Sequence, residues 1–483
     1  MTHYGITGFG AYVPRLRMDR GAIAAAHKWM APSLKGMAKG ERAFASWDED
    51  AITMAVEAGR DALGARSRDG IGRLTLASTT LPYADLQNSV IAIGALALGD
   101  GVRGTDMGGS QRAGLAGLVQ ALRDGGGDQL YLAADRPRAK PASTLEMTYG
   151  AGAAAFRLGS EGVIAKLLGS GTVAAQFVDH FRSTDQDHDY FWEERWIRDE
   201  GYAKIFPRAV GKALDEAGIG IGDISTLVLA SPLKNTVPGI AKLLRFEGVI
   251  ADGLESTVGY TGTAHPLLML AGALEQARPG DRILVLAFGQ GAEALVLEVT
   301  DAIADFRPAR GLSGAIADKV STTDYLRMLS FYDELDLEWG MRAEKSNKAA
   351  LTTLYRDSDQ LSAFLAGKCG ACGMVQFPQL SYCVNPECRQ PAAQFTDLSL
   401  TDQPSQVMTF TGDWLSYYPA PPLYVGFVQF DVGARLLMEI VDVGPEGLEV
   451  GTPLRVVYRI KEPDKVRGFN RYFWKATPVA KGV

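Results

Sequence analysis

Residues 106–118, DMGGSQRAGLAGL, decide the fold of this chain. The stretch opens with glycines and continues as a run of small and apolar residues up to position 122. That pattern predicts a helix that starts abruptly inside the protein, where small residues let neighbouring backbones approach. The free amides at such a helix start can bind an anion or a developing oxyanion. The alternative interpretation is a tightly packed core helix.

The first 300 residues contain an internal repeat. Residues 74–78, LTLAS, resemble residues 227–231, LVLAS, and residues 127–134, GDQLYLAA, resemble residues 280–287, GDRILVLA. Both pairs have one offset, because 227 minus 74 and 280 minus 127 are both 153. An order of elements kept at one spacing is stronger evidence of duplication than any single match. The sequence therefore predicts a duplicated α/β unit, with sheets covered by helices.

The same offset places a second small-residue turn opposite the first. Residues 260–268, YTGTAHPLL, correspond to the central stretch and also lead into an apolar helix. The repeat thus predicts two buried helices that meet about a pseudo-twofold axis. Gln111 and Arg112 would lie at one helix start and His265 near the other.

Composition and charge narrow the function further. The 483 residues are 47% hydrophobic and 22% charged, as in an ordinary globular protein, and the net charge is -7. That charge disfavours nucleic-acid binding, since phosphate contacts need a basic surface. No apolar run reaches the roughly 20 residues of a membrane helix, and no signal-peptide pattern begins the sequence. We therefore expect a cytoplasmic protein that neither spans a membrane nor binds nucleic acid.

The domain plan follows from the changes in pattern along the chain. We expect the two α/β halves at residues 1–160 and 161–300, then a polar helical linker at residues 301–366. A ribbon at residues 367–395 would be followed by a small OB-like β-barrel at residues 396–483, where apolar and polar residues alternate between Gly/Pro turns. Residues 179–196 are dense in aromatic and charged side chains without a clean period. They are either a solvated connector or a loop over the site or a subunit contact.

All four cysteines fall in the predicted ribbon, in two pairs: Cys369 with Cys372, and Cys383 with Cys388. Two such pairs can bring four thiolates to one tetrahedral ion, so the pattern predicts a structural zinc site. An iron site of rubredoxin type is the lesser alternative. A ribbon followed by a barrel also occurs in proteins that bind single-stranded nucleic acid, but acidic and basic residues are nearly balanced after position 368.

The duplicated part resembles the thiolase superfamily, and within it the 3-hydroxy-3-methylglutaryl-CoA synthase branch. The resemblance is carried by residues 6–14, 110–118, 259–262, 279–285 and 289–292. The tail, with Pro378 and residues 468–473, GFNRYF, resembles the zinc-ribbon/OB-fold proteins that accompany thiolases and lipid-transfer-protein-type aldolases. The resemblance implies a homodimer-forming enzyme that uses coenzyme A as the carrier of a β-keto or β-hydroxy acyl substrate. A partner acyl-CoA enzyme is a further expectation.

The sequence departs from this family at the catalytic positions. The resemblance implies a Cys nucleophile, a Glu acid/base and a His, but the matching positions are Gln111, Thr79, and Ala230 or Ser231. Because every cysteine is assigned to the metal, an acyl-enzyme on a thiolate is excluded. The remaining expectation is an enzyme that makes or breaks a C–C bond beside a thioester or ketone carbonyl without a covalent intermediate. A non-catalytic acyl-CoA-binding scaffold or partner subunit is the alternative.

Other groups must then move protons and hold the oxyanion. His265 is the first candidate for base or acid, because imidazole titrates near neutrality, and Tyr83 and Asp85 are the next. Tyr260 and the Gln111 amide could donate to an oxyanion. Ser110, Arg112 and the loop Gly289, Gln290 and Gly291 would bind the thioester or coenzyme A. Ser110 as a replacement nucleophile has no visible His or Asp partner.

Overall fold

The computed structural model describes residues 4–344, 348 and 350–479. The chain folds into two compact units. The first unit contains the chain up to Ala45, Asp50–Val90 and Gly99–Glu334, and the second contains Ser46–Glu49, Ile91–Leu98 and the chain from Leu335 onward. The predicted linker is therefore shared between the two units. Positions 1–3, 345–347, 349 and 480–483 of the predicted domains lie outside the described residues.

The first unit contains fifteen strands, which are β1 Gly5–Tyr12, β2 Leu16–Asp19, β3 Glu41–Ala43, β4 Ile71–Ala77, β5 Arg103–Met107, β6 Asp128–Asp135, β7 Gly152–Gly159, β8 Ala165–Ala174, β9 His180–Phe181, β10 Tyr190–Phe191, β11 Thr226–Leu229, β12 Val249–Ile250, β13 Arg282–Phe288, β14 Gly291–Val299 and β15 Val320–Thr322. Its helices are α1 Arg20–Ala26, α2 Ala51–Leu63, α3 Asn88–Ala95 (which continues into the second unit), α4 Ala113–Asp124, α5 Thr144–Thr148, α6 Glu194–Trp196, α7 Ala203–Ala217, α8 Thr236–Leu243, α9 His265–Gln276, α10 Gly311–Ala317 and α11 Tyr325–Phe331. Short 3-10 or π turns occur at Pro32–Met37, Ile197–Tyr202, Ile221–Asp223, Gly262–Ala264 and Asp301–Ala304.

Ten of these strands form one sheet in the order β12-β11-β13-β14-β8-β1-β7-β6-β4-β5. Each half of the repeat supplies five strands with the same pattern, three parallel strands followed by two antiparallel ones. The halves join where β1 pairs with β8, through Gly5 with Lys166 and Ile6 with Ala165. This symmetry confirms the duplication that the repeat predicted.

The two helices predicted to meet do so at their starts. α4 runs from Ala113 and α9 from His265, and a Cβ on Gly114 would lie 2.2 Å from the carbonyl oxygen of Thr263. No larger residue than glycine fits at that contact without a shift of the backbone. α2 begins directly after Asp50, whose side chain accepts from the Thr53 amide while Thr53 Oγ1 accepts from the Asp50 amide, a reciprocal cap that fixes the first turn of the helix.

In the residues that the structure describes, the second unit combines a three-stranded sheet, a closed barrel and two short helices. Its strands are β16 Leu365–Cys369, β17 Val375–Gln376, β18 Phe395–Ser399, β19 Ser405–Asp413, β20 Leu423–Phe430, β21 Arg435–Ile440, β22 Pro453–Asp464 and β23 Phe469–Pro478, and its helices are α12 Leu351–Arg356 and α13 Ser358–Leu361. The sheet has the order β17-β16-β18, and the barrel closes in the order β19-β20-β21-β23-β22. A five-stranded barrel thus stands where the alternating pattern predicted one. Within the described ranges, no helix is long and apolar enough to span a membrane.

Candidate active site

The start of α4 is the centre of the candidate site. The helix begins at Ala113 after a turn in which Gly109 has a φ of +83°, and no side chain caps its first amides. The positive end of the helix dipole is therefore not neutralised by a cap. The guanidinium of Arg112 turns away to Thr172 Oγ1, at 3.0 Å, and Glu293 Oε2, at 3.5 Å, so its charge already has a partner.

A glycine loop, residues 289–291, packs against this helix start. Ser110 Oγ donates to the carbonyl oxygen of Gly289 at 3.1 Å. A Cβ on Gly289 would lie 2.4 Å from Ser110 Oγ, and a Cβ on Gly291 would lie 1.9 Å from the carbonyl oxygen of Val173. A side chain at Gly289 would collide with the helix start and one at Gly291 with the backbone of β8, so the loop fits here because both residues are glycines. The structure thus brings together the predicted thioester-binding residues, although Arg112 points elsewhere.

Four buried side chains form a hydrogen-bonded relay beside the helix start. Tyr260 donates its hydroxyl proton to Gln111 Oε1 at 3.0 Å, and Gln111 makes a side-chain hydrogen bond with the Tyr149 oxygen. Tyr149 in turn donates to Asp189 Oδ2 at 2.9 Å. Burial, and then nearby acidic groups, raise the pKa of both tyrosines well above the ordinary value, so both remain neutral donors. The relay fixes the orientation of the Gln111 amide.

His265 lies in the same region as a fully buried, neutral imidazole. Its Nδ1 accepts from the Thr261 amide at 3.3 Å, and the ring makes a backbone hydrogen bond with Gly253. Burial lowers its pKa to about 4. The ring centroid lies 4.8 Å from that of Tyr260. With both nitrogens engaged, His265 is better suited to position Tyr260 than to exchange protons, which differs from the expectation drawn from the sequence.

The position that the resemblance gives to the family's Glu is occupied by a hydroxyl. Thr79 donates from its amide and its Oγ1 to the fully buried carboxylate of Asp135, at 2.8 and 2.9 Å. Asp135 also accepts from Ser78, Thr80 and the amide of Thr263. These hydrogen bonds give Asp135 a structural role, because they tie the end of β6 to the turn before α9.

A hairpin formed by β9 and β10 lies over the relay. His180 Nδ1 is 2.9 Å from Asp179 Oδ2, and Gln290 of the glycine loop donates to Asp179 Oδ1 at 3.1 Å. Arg182 donates to Asp189 at 3.1 Å and to the carbonyl oxygen of Thr79. These contacts favour the interpretation of the segment 179–196 as a loop at the site, although most of its residues are exposed, and a subunit contact stays a prediction. Sequence reasoning missed Asp179, His180, Asp189 and Tyr149, and its only signal was the density of charged and aromatic residues.

A cavity of about 310 Å³ reaches the relay from outside. Tyr260, His265 and Ser231 line it together with the cations of Arg20, Lys39 and Lys234. Arg20 is 8% exposed, its Nε has no hydrogen-bond partner, and it forms no ion pair among the described residues. Burial and the neighbouring Arg42 lower its pKa to about 10. Glu255 also lines the cavity and its charge acts on Arg20, but the three cations outnumber it and are suited to an anionic ligand.

Tyr83 and Asp85 lie on the loop between β4 and α3. Asp85 is exposed, and the Tyr83 backbone exchanges hydrogen bonds with the Asn88 side chain at the start of α3. Neither residue belongs to the relay or lines the cavity beside Tyr260. The structure thus brings together Gln111, Tyr260 and His265 from the predicted catalytic set, and places Tyr83 and Asp85 outside that group.

The four cysteines form a cluster in the second unit. The sulfur atoms of Cys369, Cys372, Cys383 and Cys388 all lie within 4.8 Å of one another, and none is in a disulfide. The Cys369–Cys388 and Cys372–Cys383 sulfur pairs are 3.8 and 3.5 Å apart. Ligands about 2.3 Å from a tetrahedral zinc would be about 3.8 Å apart, so this cysteine cluster has the dimensions of such a site.

Comparison with known proteins places this chain among enzymes of coenzyme A chemistry. It is 32% identical over 335 residues to the hydroxymethylglutaryl-CoA synthase of Caldivirga maquilingensis, covering 65% of this chain and 94% of that protein. It is also 32% identical over 315 residues to the hydroxymethylglutaryl-CoA synthase of Aeropyrum pernix, covering 63% and 87%. No protein-family model matches the chain.

Solved structures show the same fold at lower identity. MvaS in complex with 3-hydroxy-3-methylglutaryl coenzyme A has a TM-score of 0.59 at 18% identity, covering 68% of this chain and 92% of that one. An HMG-CoA synthase complexed with CoA has a TM-score of 0.59 at 15% identity, covering 72% and 94%. The repeat, the ten-stranded sheet and these relatives agree, and the chain belongs to the hydroxymethylglutaryl-CoA synthase family of thiolase-superfamily enzymes.

Proposed function

We propose that this protein makes or breaks a C–C bond beside the carbonyl of an acyl-CoA substrate, without a covalent acyl-enzyme. One observation carries the proposal: Gln111 stands at the helix start where the resemblance places the nucleophile, while all four thiols belong to the cysteine cluster. An amide cannot form an acyl-enzyme, but its N–H can stabilise an oxyanion. Glutamine in place of the Cys that the resemblance implies therefore removes acyl-enzyme formation and retains stabilisation of the oxyanion.

The cavity supports coenzyme A as the carrier of the substrate. Arg20, Lys39 and Lys234 would hold the phosphates, since these three cations line the cavity with only one carboxylate, that of Glu255, and Arg20 forms no ion pair among the described residues. The cavity also contacts Tyr260, whose hydroxyl holds Gln111. A thioester at that end of the cavity would lie beside the start of α4.

The chemistry can proceed by an aldol-type step. In cleavage, a base removes the proton of the β-hydroxyl group of a β-hydroxyacyl-CoA. The Cα–Cβ bond breaks, its electron pair forms the thioester enolate, and the β carbon leaves as a ketone or aldehyde. Protonation at Cα then completes the acyl-CoA product. The positive end of α4 and the Gln111 amide would stabilise the enolate oxygen, and the reverse sequence is condensation.

The relay assigns supporting roles to the remaining residues. Tyr260 gives its single proton to Gln111, so it positions the amide and leaves the amide nitrogen for Tyr149 and the substrate. His265, neutral and fully engaged, holds Tyr260 in place. Ser110 and the glycine loop would shape the wall of the thioester site, whereas Tyr83 and Asp85 take no part in this mechanism.

For the second unit, we propose a structural zinc held by Cys369, Cys372, Cys383 and Cys388. Four thiolates close the coordination sphere, so the ion would hold the fold of the three-stranded sheet and leave no position for substrate. An OB-fold identity for the barrel, a homodimer and a partner acyl-CoA enzyme remain predictions.

The proposal is tested by incubating the purified, zinc-loaded full chain with a panel of β-hydroxyacyl- and β-ketoacyl-CoAs and identifying the products by mass spectrometry. We expect cleavage or condensation products with at least one substrate, and a lower turnover in Gln111→Ala. Arg20→Ala should raise KM more than it changes kcat, because it removes phosphate binding alone. If no member of the panel reacts while CoA still binds, the protein is a scaffold and the proposal is wrong.

A further inference from the structure

The site lacks an evident base, because Gln111, Thr79 and Ser231 cannot exchange protons near neutrality and His265 is held neutral with both nitrogens engaged. Titratable side chains do lie close by, in the hairpin over the relay. There, His180 and Asp179 form a hydrogen-bonded pair whose side chains are 11% and 6% exposed.

Asp179 is fixed from three sides. Its Oδ2 accepts from His180 Nδ1 at 2.9 Å, its Oδ1 accepts from Gln290 at 3.1 Å, and its carbonyl oxygen accepts from the Trp192 amide at 2.9 Å. A carboxylate can only accept here, so Nδ1 carries the proton and the neutral ring presents Nε2 as a free base. Within residues 4–344, 348 and 350–479, Nε2 has no hydrogen-bond partner. The arrangement is that of an imidazole oriented by a carboxylate.

Both arms of the hairpin converge on the start of α4. On one arm, Asp179 is bonded to the glycine loop, which accepts the hydroxyl of Ser110. On the other arm, Asp189 accepts from Tyr149, which is bonded to Gln111. Ser110 and Gln111 are adjacent in the chain. The hairpin is thus tied at two points to the place where the thioester would bind.

We propose that His180, oriented by Asp179, is the proton-transfer group of this site. In cleavage, Nε2 accepts the proton of the β-hydroxyl group as the Cα–Cβ bond breaks, and returns the same proton to Cα of the enolate. The ring begins and ends neutral, so no further acid or base is required. Asp179 is a positioning residue, which holds the tautomer and stabilises the imidazolium formed in between. This inference rests on the proposed function.

The charges around the ring favour that imidazolium. Burial lowers the pKa of His180, but the hydrogen bond and charge of Asp179, with the charges of Asp189 and Asp135, raise it above the ordinary value of 6.5. Arg182, the nearest cation in the hairpin, is already bonded to Asp189. Since the base is the neutral form, kcat/KM should rise with pH through this raised pKa.

The test compares three variants of the zinc-loaded full chain, using a substrate that the wild type turns over. His180→Gln should lower kcat by about 100-fold or more, the usual contribution of general base catalysis. Asp179→Asn removes the charge that raises the pKa, so the acid limb of the pH profile should move to lower pH. His188→Gln is the matched control, because its ring lies in the same loop but is bonded to Glu334 at 2.8 Å, and its kcat should be unchanged.

Histidine NMR gives a readout apart from turnover, since the chain has only five histidines. The His180 resonance should report a pKa above 6.5 in the wild type and a lower pKa in Asp179→Asn. Its chemical shift should change when acetyl-CoA is added. Normal kcat in His180→Gln, or an acid limb that stays in place in Asp179→Asn, overturns the inference while leaving the proposed function intact. A wild type that turns over nothing refutes the proposed function, and this inference with it.

Discussion

Removing one buried hydroxyl should separate the role of Tyr260 in the site from its role in the fold. Tyr260→Phe deletes the hydroxyl that donates to Gln111 Oε1 at 3.0 Å. It keeps the aromatic ring, whose centroid lies 6.3 Å from that of Tyr149. The oxygen of a buried amide is then left without its donor, and the amide is free to turn. The variant tests whether the orientation of Gln111 matters for turnover.

The magnitude follows from the geometry. Leaving a buried acceptor unpaired costs about 1–3 kcal/mol, so the free energy of unfolding should fall by that amount. If the hydrogen bond favours the productive orientation of the Gln111 amide by about 1–2 kcal/mol, its loss should lower kcat by about 5- to 30-fold, with little change in KM. Tyr131→Phe is the matched control. Its buried hydroxyl donates to the carbonyl oxygens of Ala113 and Gly114 in the same helix, outside the relay.

The assay measures both quantities on both variants. Denaturant unfolding gives the free energy, and initial rates with an acyl-CoA substrate give kcat and KM. Both variants should lose stability, but only Tyr260→Phe should lose kcat. Equal losses of kcat in the two variants would show that α4 packing alone controls turnover, and would refute the role given to the relay.

Two further predictions concern the second unit. The purified chain should contain one zinc ion, measured by elemental analysis. Cys383→Ser should lose the zinc together with the fold of the three-stranded sheet. A wild-type chain without bound metal would contradict the proposed zinc site. Lys475→Met should lower the free energy of unfolding by about 3–5 kcal/mol, because the fully buried ammonium lies 2.9 Å from both Asp48 and Glu439. Lys461 is a partly exposed partner of the same Glu439, so Lys461→Met should lower it by less than about 1 kcal/mol. Denaturation midpoints of the two lysine variants that coincide would contradict this difference.

The sequence predicted the scaffold well because the duplication repeats it. One offset placed the strand at residues 227–231 from the strand at residues 74–78, and it placed the turn before α9 from the turn before α4. The offset predicted that the two turns meet, and Tyr260 of the second turn is hydrogen bonded to Gln111 of the first.

The rest of the site could not be read from local pattern. Tyr149 bonds to Gln111, Asp189 to Tyr149, and Asp179 to the glycine loop, across separations of 38 to 111 residues in the chain. β9 and β10 are only two residues long, too short for a periodic signal. Tyr83 and Asp85 were expected at the site because they follow a parallel strand. That expectation stays a prediction; their loop leads to α3, where Asn88 holds it.

The most direct test of catalysis without an acyl-enzyme is intact-protein mass spectrometry of the zinc-loaded chain, quenched during turnover of a β-hydroxyacyl-CoA. The mechanism predicts that products accumulate while the protein keeps the mass of the unmodified chain. A transient increase in mass equal to the acyl group, on Ser110 or on any cysteine, would contradict it.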